Sequence, residues 1–356
     1  MNKEIIIKSI YDSIDRGRKG ENTGLYMGFN RLSKHICNIQ KRTYYLIGGS
    51  TGSGKTAFLN SVFLLNPYEH IKSTGSPTKL EVIYYSLEMP PEDMIVKMLA
   101  KKMWEEYGIL SFTNEIFSRG DYRIKDNISD ILESYKGYTE ELLSDTLFLR
   151  DSLTPDYLYK DVMGYYESRG KIIRGEGNMV LEYKPNNPNV VTIIIVDHIG
   201  LIEKNKSDKS KKDAIDRLSR LLVWFRNKFD ATVVVTSQFN RSLEGMDRRA
   251  QDYVEPQLAD FKETGSTQED ANVVMALFYP FRFGVENFKG YDITKLRKRF
   301  RSLHLLKNRD GEDGITMGMH FIGEVGKFRE MPLPKELEEN PSLYTKILNY
   351  GNPNKS

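Results

Sequence analysis

The 356-residue sequence has little of several features that would narrow its function at once. A single cysteine, Cys37, excludes a disulfide framework and fits a reducing cytosol. The five histidines are scattered, and no spacing of cysteine and histidine resembles a zinc site. No apolar run is long enough for a signal peptide or a membrane span. These absences predict a soluble cytoplasmic protein that does not bind a membrane.

The net charge of the whole chain also does not indicate a class of binding partner. The formal net charge is only +3, from 52 basic and 49 acidic residues. A protein with such a balance has no overall attraction for nucleic acid, so any basic surface must be local.

What the sequence does contain is the pattern of a phosphate-binding loop. The stretch GSTGSGKT fits G-x-x-x-x-G-K-[ST] at every fixed position, follows an apolar strand pattern and precedes a helical one. Its glycines allow backbone N–H groups to face an anion, and the helix N-terminus adds partial positive charge. The alternative is a flexible glycine–serine turn. The predicted ATP-binding residues are Gly49, Ser50, Thr51, Gly52, Ser53, Gly54, Lys55 and Thr56.

The order of the predicted elements indicates an α/β fold with a mostly parallel central sheet flanked by helices. Strand patterns alternate with helical ones, and VVTIIIVD (190–197) and ATVVVTSQ (231–238) are continuously apolar, as in strands buried on both faces. We expect an N-terminal extension at 1–22, one ATPase domain at 23–335 and a tail at 336–356. The extension contains an amphipathic helix pattern at 3–18, which could pack on its own core or on a neighbouring subunit. A surface hairpin is expected at 169–190.

Three polar residues stand at the ends of predicted strands, where ligands bind in open α/β sheets. Asp197 ends VVTIIIVD and is placed to hold Mg²⁺ together with the Thr56 hydroxyl. Glu88 follows EVIYYS and could activate a water, and Gln238 ends ATVVVTSQ and could contact a γ-phosphate. From the pattern alone, each could also be an ordinary loop or surface residue.

Six motifs together resemble one known family. GGSTGSGKT, YYSLEM, IIIVDHIGLI, VVTSQFNRSLE, ADFKETGSTQEDANVVM and LLKNRDG occur in the order found in the motor domain of DnaB-like replicative helicases, from about Thr23 to Glu330. The resemblance implies a RecA-like P-loop NTPase core and a hexameric ring. It also implies ATP, Mg²⁺ and 5′–3′ translocation on single-stranded DNA.

The same resemblance implies roles for individual residues. Lys55 and Thr56 match the phosphate loop, Glu88 matches the catalytic base and Asp197 the Walker-B acid. Gln238 matches the γ-phosphate sensor. Lys307 and Arg309 match the K-x-R residues that one subunit projects into its neighbour's ATP site. We interpret His198, which directly follows Asp197, as a supporting residue beside this site.

Two segments are predicted to bind DNA. DFKETGS resembles the family's pore loop and supplies Lys262, Glu263 and Gly265, with lysine where the common family form has arginine. The loop at 203–213 adds Lys206, Lys209 and Lys211, which could bind phosphates regardless of sequence or could simply be a solvated charged loop.

The chain departs from bacterial replicative helicases in having barely two dozen residues before the matched region, without their N-terminal collar. We therefore expect a compact form from a phage or mobile element, acting in a bacterial or phage-infected cell, with primase and a loader as further partners. One alternative is a RecA-type ATPase with another task, such as a filament former or a packaging motor. Another is an ATP-switched DNA-binding or loading module that unwinds nothing.

Overall fold

The computed structural model describes residues 3–240, 255–262 and 265–350. Its strands are, in chain order, β1 (Tyr44–Gly49), β2 (Lys79–Ser86), β3 (Leu147–Arg150), β4 (Gly170–Arg174), β5 (Val180–Pro185), β6 (Val190–Asp197), β7 (Thr232–Gln238), β8 (Val273–Phe278), β9 (Asn287–Phe288), β10 (Tyr291–Asp292), β11 (Phe300–Asn308), β12 (Ile315–Ile322) and β13 (Lys327–Glu330).

Helices connect most of these strands. They are α1 (Lys3–Arg18), α2 (Asn30–Ile36), α3 (Lys55–Asn60), α4 (Asn66–Thr74), α5 (Pro91–Tyr107), α6 (Thr113–Ile116), α7 (Asp126–Ser134), α8 (Lys136–Glu141), α9 (Pro155–Arg169), α10 (Lys211–Phe229), α11 (Gly265–Asp270), α12 (Ile293–Leu296), α13 (Pro334–Glu339) and α14 (Ser342–Asn349). A π-helical turn at Ser61–Leu65 joins α3 to α4 in one continuous helical rod.

A nine-stranded sheet in the described part of the chain has the order β13-β12-β11-β8-β1-β7-β6-β2-β3. The strands from β8 to β3 in this order are parallel to their neighbours. β11, β12 and β13 extend the sheet as antiparallel strands. The predicted α/β fold with a mostly parallel central sheet is confirmed.

The core lies on both faces of this sheet, which explains the continuously apolar strands. In β6, Ile194 and Val196 face the layer formed by α9 and α10, whereas Ile193 and Ile195 face the layer formed by α3 to α5. Successive side chains of a strand point to opposite faces, so a strand covered on both sides is apolar at every position.

Local sequence signals fix where the major helices begin. The Thr154 hydroxyl accepts a hydrogen bond from the Tyr157 N–H at the start of α9, and Pro155 occupies the first helical position. Ser210 and Asp213 form a reciprocal capping box at the start of α10. These caps fix the N-termini of α9 and α10, the helices that follow β3 and β6.

The register brings the carboxyl ends of the central strands together. Gly49 at the end of β1 lies opposite Gln238 of β7, and Ser86 at the end of β2 lies opposite Asp197 of β6. Because these strands are parallel, the loops that follow them emerge at one edge of the sheet. This carboxyl edge carries most of the predicted site.

Three peripheral segments complete the chain. The predicted helix at 3–18 is confirmed as α1, and its Ile7, Ile10, Tyr11 and Ile14 side chains are exposed, so these four residues do not pack on the chain's own core. The predicted hairpin is formed by β4 and β5. Near the C-terminus, α14 packs apolar side chains against the main core. Within the described residues, no helix is long and apolar enough to cross a membrane.

Candidate active site

The loop between β1 and α3 has the backbone of an anion-binding turn. Gly52 and Gly54 have φ angles of +77° and +95°, a conformation that side chains other than hydrogen rarely allow. A Cβ atom on Gly54 would also lie 2.9 Å from the rings of Phe321 and Phe328. Glycine at this position is therefore required by both the turn and the packing above it.

Lys55, the first residue of α3, folds back over the loop. Its Nζ donates to the carbonyl oxygens of Gly49 at 3.0 Å and Ser50 at 3.4 Å. Burial lowers the pKa of Lys55, although the charges of Asp197 and Glu88 act in the opposite direction. The ammonium is thus positioned over the loop with donor capacity for an anion.

Two hydroxyls in the same loop support a phosphate as the ligand. The side-chain oxygens of Ser50 and Ser53 are buried and have no hydrogen-bond partner among the described residues. Buried polar groups normally have partners. Together with Lys55 and the start of α3, these hydroxyls form a set of groups that a phosphate would satisfy.

Asp197 lies next to the loop and is held by three side chains. Its Oδ2 accepts from the Thr56 hydroxyl at 2.6 Å and from the Tyr84 hydroxyl at 3.4 Å. Its Oδ1 accepts from the Thr236 hydroxyl. Burial, followed by the charge of Asp197, raises the pKa of Tyr84 well above its ordinary value, so this phenol remains a donor. Carboxylate and hydroxyl oxygens of this kind are the ligands that Mg²⁺ prefers.

A cavity of about 350 Å³ opens beside Thr56 and extends along α3. Gly52, Gly54, Lys55 and Thr56 of the loop line it, as does the turn between β12 and β13. Glu88, which is exposed, also lines the cavity. The volume is in the range of small-molecule binding sites. The structure therefore places Glu88, Lys55 and Thr56 around one space.

Gln238 lies next to His198 at this same edge. The Nδ1 atom of His198 accepts from the Gly200 N–H at 3.1 Å, so the neutral ring carries its proton on Nε2. That nitrogen lies 3.3 Å from the Gln238 amide nitrogen, so the amide must turn its oxygen toward the ring to accept a hydrogen bond from the Nε2–H. Burial lowers the pKa of His198 and favours its neutral form. His198 thus orients Gln238.

Lys307 and Arg309 do not join this group. Lys307 pairs with Val274 near the start of β8, and the Arg309 N–H donates to the Asn272 carbonyl at 3.0 Å. Val274 pairs with Leu46, which lies three residues before the end of β1. Three strand residues span about 10 Å. Both cations therefore lie toward the amino edge of the parallel strands, away from the phosphate loop of their own chain.

The predicted DNA-binding segments begin at the carboxyl edge. The Lys262 N–H donates to the Gln238 carbonyl at 2.9 Å, and the Lys262 carbonyl accepts from the Ser237 hydroxyl at 3.1 Å. Gly265 is the first residue of α11, and Glu263 lies outside the described residues. The strand that ends in Gln238 is thus hydrogen-bonded directly to Lys262, the first of the predicted DNA-binding residues in this segment.

The second predicted DNA-binding loop follows β6. Lys206, Lys209 and Lys211 are exposed, and Lys211 is the first residue of α10. Asp208 in the same loop is buried and pairs with Arg217. The buried aspartate anchors the loop, while the three lysines face solvent.

Sequence reasoning missed several residues of this site. Tyr84 and Thr236 lie inside apolar strands, where their hydroxyls give no signal beside the strand pattern. The turn between β12 and β13 also lines the cavity, although the sequence pattern indicates only strands in this region. Its glycines, Gly323 and Gly326, are the only sequence signal of a tight turn there.

Comparison with known proteins finds relatives in sequence and in fold. Residues 180–330 match the family described as DnaB-like helicase C terminal domain. The replicative DNA helicase DnaC of Bacillus subtilis is 23% identical over 331 residues, which cover 92% of this chain and 61% of that protein. The replicative DNA helicase DnaB of Geobacillus stearothermophilus is 22% identical over 343 residues, with the same coverage of both chains. The chain thus spans about three fifths of the length of these relatives.

Two solved structures share the fold. One, an ATPase domain, superposes with a TM-score of 0.67 at 20% identity, covering 93% of this chain and 99% of that one. The other, a DnaB-like replicative helicase studied with its interactions with primase, superposes with a TM-score of 0.66 at 20% identity, covering 93% of this chain and 69% of that one. The chain therefore has the fold of these two structures, and its residues 180–330, somewhat less than half of the chain, match the DnaB-like helicase C terminal domain.

Proposed function

We propose that the chain is the motor of an ATP-dependent replicative DNA helicase that moves 5′–3′ along single-stranded DNA as a ring. One observation carries this proposal. Lys55, Thr56, Asp197 and Gln238 share one edge of the sheet, whereas Arg309 lies toward the other edge, where it cannot serve its own chain's phosphate loop. A second copy is therefore needed to complete each site.

In the proposed reaction the phosphate loop holds ATP. Lys55 contacts the β- and γ-phosphates, and Ser50 and Ser53 donate to phosphate oxygens. Thr56 and Asp197 would hold Mg²⁺, which would neutralise charge on the phosphates when bound. The 2.6 Å hydrogen bond between Thr56 and Asp197 supports this assignment, because it brings the two ligand oxygens together.

Glu88 is the proposed base. Its carboxylate orients a water and takes its proton as the water oxygen attacks the γ-phosphorus, and the bond to the β–γ bridging oxygen of ADP breaks. Lys307 and Arg309 of a neighbouring copy stabilise the charge that develops on the transferred phosphoryl group.

Gln238 is the proposed sensor of the γ-phosphate. Its backbone carbonyl accepts a hydrogen bond from the Lys262 N–H. A shift of Gln238 on loss of the phosphate would therefore move Lys262, the first of the predicted DNA-binding residues in that segment. Lys262, Glu263 and Gly265, with Lys206, Lys209 and Lys211, would contact the DNA backbone, with an affinity that falls as salt rises.

The proposed partners follow from this activity. They are single-stranded DNA, further copies of the chain in a ring of six, and a primase and a loader. A replicative motor of this kind would act in the cytoplasm of a bacterial or phage-infected cell.

The first test is steady-state ATP hydrolysis with and without single-stranded DNA, for the wild type, Glu88→Gln and Arg309→Ala. We expect strong stimulation by single strands but not by duplex, and a loss of at least about 100-fold in both variants. Unstimulated hydrolysis in the wild type would point instead to an ATP-switched binding or loading module. A closed ring rather than a filament in electron micrographs would separate the helicase from a filament-forming ATPase.

A further inference from the structure

The outer side of the phosphate loop, away from the cavity, is held by a buried arginine. Arg301 on β11 is only 4% exposed, and no carboxylate in the described part of the chain forms an ion pair with it. Its Nε donates to the Ser53 carbonyl at 2.9 Å, and its Nη2 donates to the Gly52 carbonyl at 3.0 Å. One planar group thus binds two successive carbonyls of the loop.

The remaining contacts of Arg301 fix its orientation. Its Nη1 donates to the carbonyls of Lys298 and Phe300 at 3.0 and 2.8 Å. Its guanidinium carbon lies 3.5 Å from the centre of the Tyr279 ring and 4.8 Å from that of Phe321. A cation over the face of an aromatic ring is stabilised by the negative charge of that face. The neighbouring backbone carbonyls and aromatic rings therefore fix the orientation of the guanidinium plane.

These hydrogen bonds determine which way the loop's N–H groups point. In a trans peptide unit the C=O and N–H point in opposite directions. Holding the Gly52 and Ser53 carbonyls toward Arg301 therefore turns the N–H groups of Ser53 and Gly54 away from it. The Ser53 N–H donates to the Ser50 carbonyl at 3.1 Å, which also accepts from the Lys55 ammonium. Because hydrogen bonds from a charged donor are stronger than those between neutral groups, the Arg301 guanidinium holds the Gly52 and Ser53 carbonyls firmly.

We propose that Arg301 is a positioning residue for nucleotide binding, which holds the peptide units of the phosphate loop in the orientation that a phosphate needs. This inference rests on the proposed function only in that the loop binds a nucleotide. Burial lowers the pKa of Arg301 to about 10, so the guanidinium remains charged at neutral pH. A second arginine, Arg282, donates to the Thr51 carbonyl from an exposed position and extends the same support.

The test compares Arg301→Lys and Arg301→Ala with the wild type in the full chain. Lysine keeps the charge but cannot bind both carbonyls with one rigid fork. We expect the Kd for ADP, measured by calorimetric titration, to rise about 10- to 100-fold in both variants, the loss expected for two charge-assisted hydrogen bonds. The kcat at saturating ATP should change by less than about threefold, because Arg301 touches no reacting atom.

Arg150→Lys is the matched control. Arg150 also binds with a fork, through three hydrogen bonds to the carboxylate of Asp161, but it lies at the end of β3, the last strand of the sheet. Its replacement should lower the melting temperature without changing the Kd for ADP. In Arg301→Ala, added methylguanidinium should restore ADP affinity by filling the space that the Arg301 guanidinium occupied over the Tyr279 ring.

An unchanged Kd for ADP in Arg301→Lys, with a lower melting temperature, would overturn the inference and leave Arg301 as a core residue. If Arg301→Ala does not fold, Tyr279→Leu keeps the guanidinium but removes one ring, and an increase in Kd of about threefold or more is expected. A wild type that binds ADP but does not unwind DNA would defeat only the proposed function. A wild type that binds no nucleotide would defeat both.

Discussion

At the scale of single residues, the site is organised by hydroxyl groups around Asp197. Three hydroxyls, from Thr56, Tyr84 and Thr236, donate to its two carboxylate oxygens. Thr56 and Asp197 come from distant parts of the sequence, yet a motif identified each of them. The other two hydroxyls were found only from the structure, because a threonine or tyrosine inside a β-strand is ordinary.

Thr236→Val tests whether this network positions Asp197 for the proposed Mg²⁺ site. Valine has nearly the same shape but leaves Asp197 Oδ1 without its donor. We expect the Mg²⁺ concentration for half-maximal ATP hydrolysis to rise and kcat to fall about 10-fold, as measured by a magnesium titration. Thr232→Val is the control, because this buried threonine of the same strand donates to the Gln40 carbonyl at the opposite end. Equal effects of the two substitutions would contradict the assignment.

Two buried histidines predict how stability depends on pH. Burial lowers the pKa of His304 to about 3 and that of His320 to about 4, from an ordinary value of 6.5. The unfolded chain therefore binds more protons than the folded one in this window. The free energy of unfolding should fall as pH decreases below 6.5 toward 4, and denaturant titrations at several pH values measure it. His320→Gln should reduce this slope, and an unchanged slope would contradict the pKa shift.

At the scale of secondary-structure elements, patterns within one segment could be predicted and contacts between segments could not. The bounds of β6 and the start of α10 follow from a continuous apolar run and a capping box, which are local signals. The contact of Arg301 with Gly52 joins residues 249 positions apart. In the sequence, Arg301 belongs to a basic run that is typical of a solvated surface. Its burial depends on β11 lying beside β8, which only the fold establishes.

The motif predicted a glycine-dependent turn at Gly54, and the structure has this turn. The packing of Phe321 and Phe328 against it gives a second reason for glycine at this position. Gly54→Ala would force a side chain into a left-handed turn and against the rings of Phe321 and Phe328. We expect ADP binding, measured by calorimetric titration, to weaken by at least about 10-fold.

Gly164→Ala is the control for this substitution. Gly164 lies in the middle of α9, and a Cβ there would contact nothing within 4 Å. The change should raise the free energy of unfolding by about 0.4–1 kcal/mol and leave ADP binding unchanged. If both glycine variants bound ADP like the wild type, the loop geometry would not be required for binding.

At the scale of the whole molecule, two features bear on the proposed ring. The α1 helix leaves Ile7, Ile10, Tyr11 and Ile14 exposed, with fractions of 44–64%. Lys307 and Arg309 lie toward the edge of the sheet opposite the phosphate loop. Both features agree with a ring in which neighbours cover α1 and share each ATP site.

The exposed face of α1 gives a prediction about assembly. Ile10→Asp combined with Ile14→Asp places charges on that face and should prevent its burial against a neighbour. We expect the ring to dissociate to smaller species, as measured by analytical ultracentrifugation at fixed protein concentration. Asp12→Asn, at an exposed position of the same helix, should leave assembly unchanged. A ring that persists in the double variant would show that α1 does not hold it together.

The most direct test of the central claim, a site shared between copies, is to mix two inactive variants. Glu88→Gln keeps Arg309 but lacks the base, and Arg309→Ala keeps the base but lacks the arginine. In a mixed ring, Arg309 of the first variant can complete the site of the second. The account predicts that DNA-stimulated ATP hydrolysis, measured across mixing ratios, reappears in the mixture and peaks at an intermediate ratio. Activity that never exceeds the sum of the separate variants, in rings shown to exchange subunits, would contradict it.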